Sequence, residues 1–157
     1  MSRGLFLLLL TISCSALASG EFKPFTAQSV REIGEAQAGR PLILVFWSAS
    51  CAPCIKELPR WSAWQEKHRR AAVVLVNVDP PEEQAGALAV LRRRGIRGLD
   101  SWGLAEAVPE RVYWSVDPKW HGETPYLRLI DVERRAQGIF GTVDAAWLGR
   151  WYRQQTD

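Results

Sequence analysis

The chain has 157 residues, with 20 Lys and Arg against 17 Asp and Glu and a formal net charge of +3. That length suits one domain, which can bury about two thirds of the surface its unfolded chain exposes and needs no metal or disulfide staple to fold. Hydrophobic residues at 47% and charged residues at 24% exclude a disordered or low-complexity chain, and the mild charge gives no ground for a nucleic-acid partner.

The first segment reads as an address. Arg3 is followed by the apolar run Leu5 to Ile12, then by small residues ending Ala16-Leu17-Ala18. Eight apolar residues are too few for a membrane span, which takes about 20. Residues 1–18 are therefore expected to be a cleaved secretory signal, with residues 19–157 as a single domain. The alternatives are an uncleaved anchor or lipid attachment at Cys14, although Thr11-Ile12-Ser13 is a poor lipoprotein box. Export leaves two of the three cysteines, Cys51 and Cys54, in an oxidising or redox-managed compartment.

Glu21 to Phe25 is a short lead-in. Thr26 to Ala38 carries a helical stripe of Val30, Ile33 and Ala36. Ser29 and Glu32 have the spacing of a capping box, and Gly39 with Pro41 ends the segment. Leu42 to Trp47 is continuously apolar and predicts a strand buried on both faces. A helix from about Cys51 to His68 turns Ile55, Leu58 and Trp61 inward, with a kink at Pro59. Ala72 to Val78 is a second buried strand. Pro80-Pro81-Glu82-Glu83 opens a helix that stops at Gly95. Residues 96–121 are the least legible, with a short strand near Leu99 to Leu104 and one irregular helical piece. Tyr126 to Ile130 and Gln137 to Phe140 form a hairpin. A last helix, Thr142 to Arg153, places Val143, Trp147 and Trp151 on one face. The order implies an α/β fold: a mixed sheet, parallel at the front by right-handed crossover and antiparallel at the back, with helices on both faces.

The chemistry concentrates in Trp47-Ser48-Ala49-Ser50-Cys51-Ala52-Pro53-Cys54, a C-x-x-C between a buried strand and a helix start. Unpaired N–H groups and the helix dipole favour a Cys51 thiolate, well below the free value of about 8.5. A thiolate is the attacking species in disulfide exchange. Cys54, one turn on and less exposed, can resolve the resulting mixed disulfide. Ala52 and Pro53 complete the contact loop, and Pro53 removes one donor and restricts the turn. Glu57 follows Cys54 by three residues; it is either a partly buried proton acceptor for Cys54 or a solvated surface side chain. Zinc is disfavoured, because only His68 and His121 remain as strong ligands. Cys51, Cys54 and His121 are the alternative reading, a copper metallochaperone.

These residues, with Glu57-Leu58-Pro59 and the strand ending Val76-Asn77-Val78-Asp79, resemble the thioredoxin superfamily, and within it the extracytoplasmic TlpA/ResA/DsbE-like thiol-disulfide oxidoreductases. The resemblance implies a thioredoxin fold, an attacking Cys51, a resolving Cys54 and an active-site Glu57. It also implies a cis-proline loop at Thr124-Pro125, facing the cysteine helix, with the Thr124 backbone free to pair with an extended client. By residues alone, Thr124-Pro125 is merely a strand entry. The resemblance further implies a periplasmic monomer that reduces protein disulfides, with electrons from a membrane thiol transporter, no metal and no cofactor. Apocytochrome c and metal-centre assembly factors are the client classes; an oxidase or isomerase is the other direction. Trp47 joins the client-contacting set by position. Trp114, Trp120 and Tyr126 either line a client groove or simply pack. The sequence departs from the pattern at Val45, where thioredoxins proper carry a buried Asp, and at Ser50, where an aromatic residue is usual. Residues 108–123 are longer and richer in Trp than the pattern suggests. The basic runs Lys67 to Arg70 and Arg92 to Arg97 suit helix C-termini, or a membrane surface.

Overall fold

Two six-residue apolar runs form the centre of the sheet. In the computed structural model, which describes residues 21–156, β2 (Leu42–Trp47) and β3 (Ala72–Asn77) are buried along their whole length. They pair in parallel from Leu42 opposite Ala72 to Trp47 opposite Asn77. Parallel neighbours need a crossover, which α2 (Ala52–Lys67) supplies. The leader expected at residues 1–18 lies outside the described residues.

The remaining strands extend the sheet both ways in the order β1-β4-β3-β2-β5-β6. β1 (Lys23–Phe25) and β4 (Asp100–Leu104) are parallel to the central pair. β5 (Tyr126–Ile130) and β6 (Ala136–Phe140) form the antiparallel hairpin, with Tyr126 opposite both Phe46 and Phe140. Side chains alternate across each strand, so two cores result. Ile43, Val45, Trp47, Val73 and Leu75 face Leu58, Trp61 and Trp64 of α2, together with α3 (Gln84–Arg93) and α5 (Ala145–Thr156). Leu42, Leu44, Phe46, Val74 and Val76 face α1 (Ser29–Ala36) and α4 (Pro109–Val116). None of the described helices is long and apolar enough to cross a membrane.

The α/β architecture, the crossover and the hairpin match the sequence reading. Three local expectations do not. The Ser29–Glu32 capping box is not formed: Ser29 is the first helical residue, and its Oγ accepts the Thr26 N–H at 2.9 Å, closing a turn ahead of α1. The lead-in contains β1, whose Phe25 is fully buried edge-on to Phe46, at 5.7 Å between ring centroids. Three residues including Pro24 carry too little pattern to read as a strand, and Pro is tolerated only because β1 is an edge. α5 starts at Ala145, because Asp144 Oδ1 accepts the Trp147 N–H at 2.9 Å and acts as the cap. The short strand and the helical piece expected within residues 96–121 are present as β4 and α4, with Pro109 in the first helical turn. Pro59 sits exposed within α2, which continues to Lys67.

A polar lock closes the second core. Asp117, just past α4, accepts the Tyr126 hydroxyl at 2.8 Å, the Lys119 N–H at 2.9 Å and the Arg128 guanidinium. Burial alone would raise the Asp117 carboxyl; these donors outweigh it and hold it below the ordinary carboxylate value. A lowered folded value means that the stability is present above the unfolded value and is lost as pH falls through the folded one. Asp117→Asn is therefore expected to cost about 2 kcal/mol at neutral pH, with the gap to the parent narrowing below about pH 4. Urea midpoints measured across that range would show a constant gap if Asp117 were uninvolved.

Candidate active site

The end of β2 and the start of α2 determine where the cysteines stand. Cys51 is the N-cap of α2, in an extended conformation (φ −86°, ψ 94°), and its sulfur accepts the Cys54 N–H at 3.2 Å. Cys51 and Cys54 are joined as a disulfide with Cα atoms 5.2 Å apart. Cys51 is 9% exposed and Cys54 4%, the asymmetry expected of an outer and an inner sulfur. Ala52 and Pro53 are exposed beside them. Once the pair is reduced, a thiolate at Cys51 would stand at the positive end of α2 with the Cys54 N–H as its donor.

The turn that presents Cys51 is held from behind by residues that the sequence reading quoted only for the family likeness, without a role. Asp79, only 5% exposed, accepts the Ala49 N–H at 2.7 Å and the Asn77 Nδ2 at 2.8 Å. Asn77 is fully buried at the end of β3, with its Nδ2 3.4 Å from the Trp47 carbonyl oxygen. Cys51 N–H donates to the Ser48 carbonyl at 3.2 Å, and the Ser48 and Ser50 hydroxyls lie 3.0 Å apart. The available signal was two polar residues, Asn77 and Asp79, closing an otherwise apolar strand.

Glu57 is neither free on the surface nor isolated in the interior. Its side chain is 16% exposed, and Arg60 Nη1 donates to Oε1 at 2.9 Å. Burial pushes the carboxyl above the ordinary glutamate value, and Arg60 opposes that rise. Arg60 Nη2 also donates to the Val143 carbonyl at 2.6 Å, tying α2 to the segment after β6. The sequence reading missed Arg60; its place one turn beyond Glu57 was the signal.

Thr124-Pro125 is a cis peptide bond, as the resemblance implies. Phe46 pairs with Tyr126, so the next residue pair in that register sets Pro125 level with Trp47, at the cysteine end of the sheet. The Pro125 carbonyl accepts the Gly141 N–H at 2.7 Å, whereas the Thr124 backbone makes no hydrogen bond to a described residue.

Three expected client contacts are corrected by burial. Trp47, Trp120 and Tyr126 are 0%, 1% and 0% exposed. Trp120 stacks on Tyr126 at 4.9 Å between centroids, and its Nε1 donates to the Glu123 carbonyl at 2.8 Å. These rings support the proline loop from within and cannot line an open groove. Trp114, in contrast, is 67% exposed. The copper reading needs His121 beside the two sulfurs. His121 is exposed, and no three His, Cys, Asp or Glu side chains gather as metal ligands among the described residues. Val45, at the position where thioredoxins proper carry Asp, is buried in the same apolar core as both cysteines.

Asp79→Ala is expected to destabilise the protein by about 1–3 kcal/mol and to speed amide exchange at Ala49. Asp79→Asn, which keeps one acceptor oxygen, should restore most of the Ala49 protection. Equal exchange at Ala49 in all three proteins would remove the clasp from the account.

No protein-family model matches the chain, and no curated protein matches it by sequence. Solved structures do match. A thioredoxin-family thiol:disulfide interchange protein from Chlorobium tepidum is 19% identical, with 79% of this chain and 85% of that one covered and a TM-score of 0.63. A putative thiol:disulfide interchange protein DsbE from the same organism is 22% identical, covering 78% and 81%, with a TM-score of 0.59. A secreted Mycobacterium tuberculosis disulfide oxidoreductase homologous to E. coli DsbE is 14% identical, covering 78% and 85%, at 0.58. With its β2–α2 cysteine pair and its cis-proline loop at one end of a mixed sheet, this chain has the thioredoxin fold.

Proposed function

We propose that the protein is an extracytoplasmic thiol-disulfide oxidoreductase that reduces disulfides in client proteins. The reading is carried by one observation: Cys51 caps a helix N-terminus and is already bonded to Cys54, level with the Thr124-Pro125 loop. In the forward step the Cys51 thiolate attacks one sulfur of a client disulfide, and the other client sulfur leaves as thiolate and takes a proton. Cys54 then loses its proton, with Glu57 as the acceptor, and attacks Cys51 of the mixed disulfide. The client departs as a dithiol carrying two electrons and two protons more, and the Cys51–Cys54 bond is restored. A dithiol donor must reduce that bond for the next cycle; a membrane thiol transporter fills this role in our reading. Ala52 and Pro53 and the unpaired Thr124 backbone form the client-contacting surface.

Residues 1–18 serve in this reading as a cleaved export signal and residues 19–157 as one monomeric domain in the periplasm. The secreted and DsbE-like structural neighbours support that location. Proteins such as apocytochrome c or metal-centre assembly factors are the proposed client class.

Cys54→Ser is expected to accumulate mixed disulfides through Cys51, visible on non-reducing gels, and Cys51→Ser to abolish exchange. A Cys54→Ser protein that retains no client would remove Cys51 as the attacking sulfur. A reduction potential toward the oxidising end of this fold's range, near about −120 mV, would reverse the proposed direction.

Glu57→Gln should slow the resolving step by about 10²-fold at neutral pH. In Arg60→Gln the opposing guanidinium is gone, so the Glu57 value rises further. The base must be deprotonated to act, and the rising limb of rate against pH therefore moves to higher pH. An unmoved limb would exclude Glu57 as the acceptor.

A further inference from the structure

The most prominent feature outside the cysteine end is a sorting of charge. α2 and α3 both run back from the cysteine end, so they finish where β2 and β3 begin. Lys67, Arg69 and Arg70 stand at the end of α2, and Arg92, Arg93, Arg94 and Arg97 at the end of α3. Arg40 precedes β2 and is fastened beside the α2 group: its Nη2 donates to the Arg69 carbonyl at 2.9 Å and the Ala71 carbonyl at 2.7 Å. All of these cations are exposed. None is ion-paired with a described residue. A cavity of about 410 Å³ opens between Arg40, Arg69 and Arg97, with Gln65 and the carboxylate of Glu66 in its wall.

Cations near a helix C-terminus offset its partial negative charge, but the effect is confined to the last turn and does not call for so many. The opposite end carries the reverse sign. Its loops and helix starts hold Glu82, Glu83, Glu106, Glu110, Glu123 and Asp144, against Lys56, Arg111 and the already paired Arg60. A net charge of only +3 therefore conceals a molecule that is basic at one end and acidic at the other.

We propose that the basic end rests on the anionic headgroups of a lipid bilayer, which turns the cysteine end away from the membrane. Clusters of 4–8 Lys and Arg are the usual pattern for attraction to acidic lipids. The cations are spread over two helix ends and a strand start, which suits a diffuse layer of phosphates. A protein interface would call for a buried apolar anchor, and none of the large exposed apolar side chains lies in these three segments. The acidic loops at the far end would be repelled by the same surface, which fixes the orientation.

The test uses the full 157-residue chain and vesicles of phosphatidylcholine with or without one third phosphatidylglycerol. Co-sedimentation is expected to be at least about tenfold stronger on the anionic vesicles at low ionic strength and to fall steeply with added salt. Arg69→Gln, Arg70→Gln, Arg92→Gln, Arg93→Gln and Arg97→Gln, combined, should abolish that excess and leave dithiol exchange on a small soluble disulfide unchanged. A control with the same loss of charge elsewhere (Arg31→Gln, Lys56→Gln, Arg111→Gln, Lys119→Gln and Arg150→Gln) should keep most of it. Equal binding to neutral and anionic vesicles would mean that the apolar leader alone is responsible, and would overturn the proposal. Equal losses in the two combined variants would do the same, as would capture by a soluble acidic protein with no preference for anionic vesicles.

Discussion

Everything at the cysteine end depends on β2 being buried on both faces. A strand with apolar neighbours on each side cannot slip by one residue or lift away without exposing half its side chains. Its end is therefore a fixed point, and α2 starts from it with the Cys54 N–H directed at the Cys51 sulfur. The same fixed strand carries β5 on its other edge, which brings the Thr124-Pro125 loop level with Trp47. Thus two segments more than seventy residues apart in the chain meet because each is registered against one rigid strand.

The polar groups around this end work by constraint. Asp79 and Asn77 sit at the exit of β3 and hold the turn before Cys51, so the two central strands cooperate in placing one sulfur. Arg60 has two duties: it holds the Glu57 carboxylate, and it reaches the carbonyl of Val143 in the segment that follows β6. Glu57 thereby sits between opposed influences, burial raising its proton affinity and the guanidinium lowering it.

What could be read from the sequence was what is written locally. Leu42 to Trp47 and Ala72 to Val78 are unmistakable as buried strands, and Cys-Ala-Pro-Cys between a strand and a helix indicates its chemistry directly. β1 was missed because three residues hold no periodicity; only its partner β4 makes it a strand. The Ser29 hydroxyl had two possible uses, and the folded chain spends it on Thr26. Trp120 and Tyr126 were placed near the proline correctly, but whether they face a client or the core depends on α4 covering them, and no spacing shows that. Asp79 and Arg60 had only local hints, because the contacts that tie them to other segments, Ala49 and Val143, lie 30 and 83 residues away.

β6 carries a constraint that reaches the other side of the proline loop. A Cβ at Gly138 would lie 2.1 Å from the Tyr126 hydroxyl and 2.8 Å from Asp117 Oδ2, closer than real Cβ atoms come. Any side chain there must push the phenol off its carboxylate and tilt the ring on which Trp120 stacks. An outwardly harmless alanine on an exposed edge strand would therefore be transmitted, ring by ring, to the Glu123 carbonyl beside the proline loop. At Gly138, contact with that aromatic column decides what a substitution costs, although the position lies on an outermost strand of the sheet.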